Sequence, residues 1–187
     1  MKKIILASAS PRRKELLETA GISFEICVAD VDESIPEGTP PDEAAKLTAS
    51  KKAAAVSAIH PDAVVIGADT IVVADGKILG KPKDRADAEN MLRMLSGKEH
   101  LVITGVCLSE GCNRTEFEKI SKVKFYELSD AEIKAYVATG EPMDKAGAYG
   151  IQGKGCVLVE GIEGDYFNIV GLPVAATVKE LKKLSAI

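Results

Sequence analysis

The sequence predicts an α/β fold with a mixed sheet and flanking helices. Three observations predict it. Short β-branched runs alternate with segments of helical period. The first such run opens a strand, loop and helix unit, and adjacent hairpins later in the chain argue against a purely parallel, doubly wound sheet. At 187 residues and 46% hydrophobic, the chain can bury a substantial core, and its size fits one domain, or two lobes sharing a cleft, better than two independent domains; we expect one globular unit over 1–187.

Residues 3 to 7 read as a short buried strand. From Ser10 the pattern turns helical: Ser10 is placed to cap, Pro11 suits the first helical position, Leu16, Leu17 and Ala20 recur at helical spacing, and Gly21 closes the helix. "FEICVA" (24 to 29) is expected to be a second strand. A polar, proline-bearing loop through Pro41 follows, then an Ala-rich helix to about Ile59. In "AVVIGADTIVVADGKILGKP" (63 to 82) two β-branched runs are interrupted by Gly67 and Asp69, and Asp75-Gly76 signals a hairpin turn.

A helix from about Asp84 to Leu95 is stopped by Ser96-Gly97. "HLVITGVCLSE" and "TEFEKISKVKFYEL" read as antiparallel strands, and "SDAEIKAYVATG" as a helix between a capping serine and a closing glycine. The glycine-rich "DKAGAYGIQGKG" leads into strands expected around "CVLVEGIEGDYFNIVG". "PVAATVKELKKL" forms the last helix, with Pro173 near its first turn.

Composition excludes several classes. No segment approaches the roughly 18 consecutive apolar residues of a membrane span. "MKKIILASAS" imitates a signal peptide only superficially, because charges return after four or five apolar residues; a cytoplasmic protein is expected. A net charge of −4 argues against a nucleic-acid polymer as partner, so cations for an anionic ligand must be gathered locally. Cys27, Cys107, Cys112 and Cys156 form no CxxC pair and only two histidines are present, so the cysteines are expected to be buried free thiols rather than a zinc site.

The opening "ASASPRRKELLETAG" has the layout of an anion site, a helix N-terminus preceded by small hydroxyl residues, with Ser8, Arg12 and Arg13 as candidate ligands. The helix dipole contributes only about 0.3–1 kcal/mol, whereas charge-assisted hydrogen bonds contribute roughly 1.5–3 kcal/mol each, so the arginines should dominate. Glu33, in an acidic loop, and Asp69, at the expected end of a buried strand, supply hard oxygens suited to a divalent metal held between protein and phosphates. Lys51 or Lys52, and Lys81 in "LGKP", matter only if they converge on the same phosphates. In "AGAYGIQGKG", the glycines permit close backbone approach to a ligand, and the Gln152 amide suits a pyrimidine edge.

With those residues assembled, the chain resembles the Maf family of nucleotide pyrophosphatases, also called septum-formation proteins. The resemblance runs nearly end to end through "SASPRRKELL", "DES", "LTASKKAAAV", "IGADTIV", "GKILGKP", "MLRMLSGKEHLVITGV" and "DKAGAYGIQG". It implies a fold similar to the inosine triphosphatases with an elongated sheet, a cleft between two lobes, a homodimer, and hydrolysis of a nucleoside triphosphate to monophosphate and pyrophosphate with a divalent metal, Mg²⁺ first and Mn²⁺ or Co²⁺ as alternatives. "DKAGAYGIQG" looks like the branch acting on dTTP and UTP, modified pyrimidine triphosphates included.

The resemblance further implies Asp69 as proton acceptor and metal ligand, Glu33 as metal ligand or catalytic acid, and Lys52 and Lys81 as catalytic cations. Arg12, Thr70 and Gln152 are implied to determine substrate choice, and Ser8 and Arg13 join them as substrate-binding residues. The family's usual lysine precedes alanine, which favours Lys52 over Lys51, and Thr48 stands where alanine is common. Two alternatives accompany this reading: a nucleotidyltransferase, and a nucleotide-binding regulator of septation without essential turnover.

Overall fold

The computed structural model describes residues 2–187. Its elements are β1 (Ile4–Leu6), α1 (Pro11–Thr19), β2 (Glu25–Ile26), α2 (Pro41–Ile59), β3 (Val64–Ala74), β4 (Lys77–Leu79), α3 (Arg85–Leu95), β5 (Glu99–Glu110), β6 (Asn113–Phe125), α4 (Asp130–Ala138), β7 (Val159–Glu163), α5 (Tyr166–Val170) and α6 (Val174–Lys183). The strands form one seven-stranded mixed sheet in the order β2-β1-β3-β5-β6-β7, with β4 paired to β3. β1 runs parallel to β2 and β3, whereas the β3–β4 and β6–β7 pairs are antiparallel. This is the mixed α/β sheet the sequence predicts.

The chain clusters into two compact units. The first comprises the chain through Thr70, Thr104–Lys119 and Gly171–Ile187; the second comprises Ile71–Ile103 and Ile120–Val170. In the first unit α2 lies against the strands through small residues. A Cβ on Gly67 would fall 2.2 Å from the Ala49 carbonyl oxygen, and one on Gly105 2.4 Å from the Ala45 carbonyl carbon. Only glycine at both strand positions lets the helix approach so closely. Ile5, Ala49, Ala53, Val56, Val65 and Cys107 fill the core there. In the second unit, Leu92 and Leu95 of α3 pack in one cluster with Val123 and Phe125 of β6, Ile133 of α4 and Tyr149. Burying each large apolar side chain contributes about 1.5–3 kcal/mol.

Side-chain caps set three helix starts, and two of them, Ser10 and Ser129, are read from the sequence. The Ser10 hydroxyl accepts from the Arg13 N–H, the Asp84 carboxylate accepts from the Asp87 N–H, and Ser129 with Glu132 forms a reciprocal capping box. The hairpin turn lies at Asp75 and Gly76, both at positive φ (49° and 73°), as the Asp-Gly signal requires.

Four expectations are corrected. The second strand spans only Glu25–Ile26 rather than 24 to 29, because its partner β1 ends at Leu6 and the pairing stops with it. Gly67 and Asp69 do not interrupt β3, an unbroken strand of 11 residues, so Asp69 lies inside it rather than at its end. "YFNIV" is the helix α5 and not a strand: the Asp165 carboxylate accepts from the N–H groups of Phe167 and Asn168 and turns the chain there. Of the four free thiols only Cys107 is buried, while Cys112 and Cys156 are exposed. Among the described residues, no helix is long and apolar enough to cross a membrane.

Candidate active site

In the first unit, the opening segment and β3 meet on Arg13. Its guanidinium donates from Nε to the Gly171 carbonyl (2.8 Å), from Nη1 to Ser8 Oγ (3.0 Å) and from Nη2 to Thr70 Oγ (3.1 Å), and the residue is only 8% exposed. Burial pushes the guanidinium below its ordinary pKa; Asp69 and Glu33 oppose that shift and Arg12 adds to it. It stays charged, as arginine does in proteins. Arg12, next along α1, is half-buried. The adjacent arginines therefore have different environments: Arg13 is the anchor of the loop before α1, and Arg12 is the more accessible cation.

The acids converge as well. β3's parallel pairing with β1 ends at Ile66, so Asp69 lies beyond the carboxyl end of the neighbouring strand, where ligands bind in open α/β sheets. Lys52, projecting from α2, bridges two carboxylates, with Nζ 2.8 Å from Asp69 Oδ1 and 3.1 Å from Glu33 Oε1. The Lys52 and Asp69 side chains are 14% and 18% exposed, so solvent screens their contact weakly; Glu33 is 57% exposed.

The two lysines are thereby told apart. Lys51 donates to the carbonyls of Asp32 (3.1 Å) and Ser34 (2.9 Å), holding the acidic loop, while Lys52 reaches the acids themselves. Within that loop the Asp32 carboxylate is occupied by Ser34, whose N–H and hydroxyl both donate to it and hold its pKa below the ordinary value. Glu33 is the acid that turns toward Lys52.

In the second unit, Lys81 is exposed in the loop after β4, and the preceding Gly80 carbonyl accepts from the Gly147 N–H (3.0 Å). Gln152, half-buried, precedes a 3₁₀ turn over Gly153–Leu158. The glycines around it do not stand open to a ligand. Added Cβ atoms would meet Val72 at Gly147 (2.9 Å), Lys145 at Gly150 (2.8 Å), Glu141 at Gly153 (2.9 Å) and the Gly150 carbonyl at Gly155 (2.2 Å). They serve close packing within the loop, which corrects the reading of them as a ligand approach.

Sequence reasoning missed two contributors. The Gly171 carbonyl fixes Arg13, and Thr104 Oγ1 lies 2.9 Å from Thr70 Oγ1. A backbone carbonyl and a mid-strand threonine carry no pattern that marks them in advance.

The donors in the first unit are a cation-rich helix start, two carboxylates and the lysine that joins them, a set suited to a polyphosphate and its charge. Comparisons with known proteins agree in kind. A protein from Geobacillus sp. (strain WCH70) named dTTP/UTP pyrophosphatase is 54% identical over 184 residues, covering 98% of this chain and 99% of that one. One of the same name from Bacillus cytotoxicus is 52% identical over 186 residues, covering 100% of this chain and 97% of that one. A solved structure of the Staphylococcus aureus Ham1 protein aligns over 66% of this chain and 72% of its own at 17% identity and a TM-score of 0.46, too low to carry a fold argument. The family profile described as Maf-like protein matches residues 3–184, nearly the whole length, and the chain belongs to that family.

Proposed function

We propose that this protein hydrolyses dTTP and UTP at the bond between the α- and β-phosphates, releasing the monophosphate and pyrophosphate. The observation that carries the reading is Lys52 held between Asp69 and Glu33 in the unit that also contains the Arg13-anchored helix start. Relatives above 50% identity named dTTP/UTP pyrophosphatase support the choice of substrate.

The chemistry follows from the side chains. Arg12 and the amino-terminal end of α1 bind phosphate oxygens, and Arg13 keeps Ser8 and Thr70 in place beside them. Asp69 takes the proton of the water that attacks the α-phosphorus; the bond to the bridging oxygen breaks and pyrophosphate leaves. Lys52 orients Asp69 by engaging Oδ1. Lys81 is assigned to the phosphates and Gln152 to the pyrimidine edge, on the residue chemistry that singled them out.

A divalent metal fits the donor set. Among the described residues no group of three or more His, Cys, Asp or Glu is placed to hold an ion, but Mg²⁺ is commonly held by one or two carboxylates plus substrate phosphates. Glu33 and Asp69 are the residues that would hold it, with Mn²⁺ or Co²⁺ as substitutes. Such an ion draws charge from the phosphates and acidifies bound water.

The test is a panel of normal and modified triphosphates without any acceptor, assayed for monophosphate and pyrophosphate with each metal. Turnover of dTTP and UTP, reduced about 10²–10⁴-fold in Asp69→Asn at saturating Mg²⁺, is the expected result. Turnover of purine substrates alone, or tight binding without turnover, would overturn the reading.

A further inference from the structure

The second unit contains a half-buried polar network that the hydrolytic chemistry does not use. Glu141, in the 3₁₀ turn after α4, directs its carboxylate into the glycine-rich segment. Oε1 accepts from the Tyr136 hydroxyl (3.0 Å) and the Gly155 N–H (3.1 Å), and Oε2 accepts from the Lys154 N–H (3.0 Å). The Tyr136 hydroxyl in turn accepts from the Gly150 N–H (3.2 Å). Lys145 closes the base of the loop by donating to the Glu141 carbonyl (2.7 Å).

Burial alone would raise the Glu141 carboxyl, but the Lys154 N–H, the Tyr136 hydroxyl and the Gly155 N–H together hold it below its ordinary value. Two consecutive N–H groups pointing at one carboxylate make an anion nest. Here the anion is the protein's own, so this glycine-rich loop is occupied internally.

Gln152 stands at the centre of that arrangement. The tethered amides of Gly150 and Lys154 lie two residues to either side of it, and the glycines leave no room for the loop to be rebuilt around a side chain. Among the described residues, no protein hydrogen bond holds the Gln152 amide itself. The backbone on either side of it is tethered, and its side-chain amide is not engaged by the described residues.

We propose that Glu141 and Tyr136 are positioning residues that hold the 150–155 loop so that Gln152 discriminates between nucleobases. The inference rests on the proposed pyrimidine triphosphate activity for its kinetic arm only. Placing an amide against a base edge rejects mismatched hydrogen-bonding patterns only if the amide cannot swing to suit them.

The experiment compares wild type, Glu141→Gln, Tyr136→Phe, Gln152→Ala and the Glu141→Gln/Gln152→Ala double variant. Glu141→Gln turns one of the two acceptor oxygens into a donor facing N–H groups. Tyr136→Phe removes two hydrogen bonds without changing charge, and serves if the first variant does not fold. Amide hydrogen exchange at Gly150, Lys154 and Gly155 is expected to accelerate in Glu141→Gln and Tyr136→Phe and to stay at wild-type rates in Gln152→Ala.

Kinetically, KM for UTP should rise roughly tenfold in Glu141→Gln, the preference for UTP over CTP should fall by a similar factor, and kcat should change little. The double variant should be no less selective than Gln152→Ala alone, because both changes act on one contact. Unchanged exchange in both tether variants overturns the proposal, as does faster exchange with undiminished UTP preference or full additivity in the double variant. A wild-type enzyme with no UTP preference would instead sink the substrate reading, leaving the exchange measurement to judge the tether by itself.

Discussion

Arg12 and Arg13 are adjacent and chemically identical, and the sequence offers no way to divide their work. The fold does so by burial: Arg13 donates to Ser8, Thr70 and Gly171 from three different nitrogens, a fork that a lysine ammonium cannot reproduce. Arg13→Ala should therefore cost about 2 kcal/mol or more, lowering Tm by roughly 4–8 °C. Arg13→Lys should restore little of it, and Arg12→Ala should lower Tm less than Arg13→Ala. Calorimetry on the three variants checks this; equal losses for both alanine variants would mean that Arg13 is not the anchor. Lys51 and Lys52 teach the same lesson. The spacing before "AAAV" singles out Lys52 only through family resemblance, whereas the distance to Asp69 singles it out physically.

Among the elements, those with local signals were legible. Ser10 and Ser129 announced two helices because a cap is a short-range hydrogen bond written in adjacent residues. The failures needed long-range knowledge. The length of β2 is set by where its neighbour β1 ends, at Leu6. "YFNIV", five apolar-rich residues, fits strand and helix patterns equally, and the Asp165 cap decides.

The close approach of α2 to β3 is likewise invisible in sequence, although the site depends on it, since Lys52 and Asp69 sit on those two elements. Gly67→Ala would force a Cβ to within 2.2 Å of the Ala49 carbonyl oxygen. We expect a destabilisation of about 1–3 kcal/mol. As α2 shifts outward and the 2.8 Å Lys52–Asp69 contact opens, kcat should fall by more than the stability loss explains. Lowered stability with wild-type kcat in the folded enzyme would show that helix spacing does not set the site.

For the whole molecule, stability should depend on pH through His100. It is buried, its Nε2 lies 2.7 Å from the Tyr149 hydroxyl, its ring packs edge-on against Phe125, and its Nδ1 has no hydrogen-bond partner among the described residues. Burial pushes its pKa down to about 4, from 6.5 ordinarily. A depressed histidine favours the neutral form in the fold. Its contribution is thus complete above the unfolded value near 6.5 and is lost as pH falls toward 4. Denaturant unfolding should lose about 2 kcal/mol between pH 7 and pH 5 from this residue. His100→Gln should flatten that slope, and an unchanged slope would place the titration elsewhere.

The proposed attack of water on the α-phosphorus of dTTP and UTP can be followed by turnover of UTP in ¹⁸O-labelled water, with Mg²⁺ and no acceptor, and mass analysis of both products. Equal amounts of UMP and pyrophosphate are expected, with the label in UMP. Label in pyrophosphate, or release of UDP and phosphate, would contradict it.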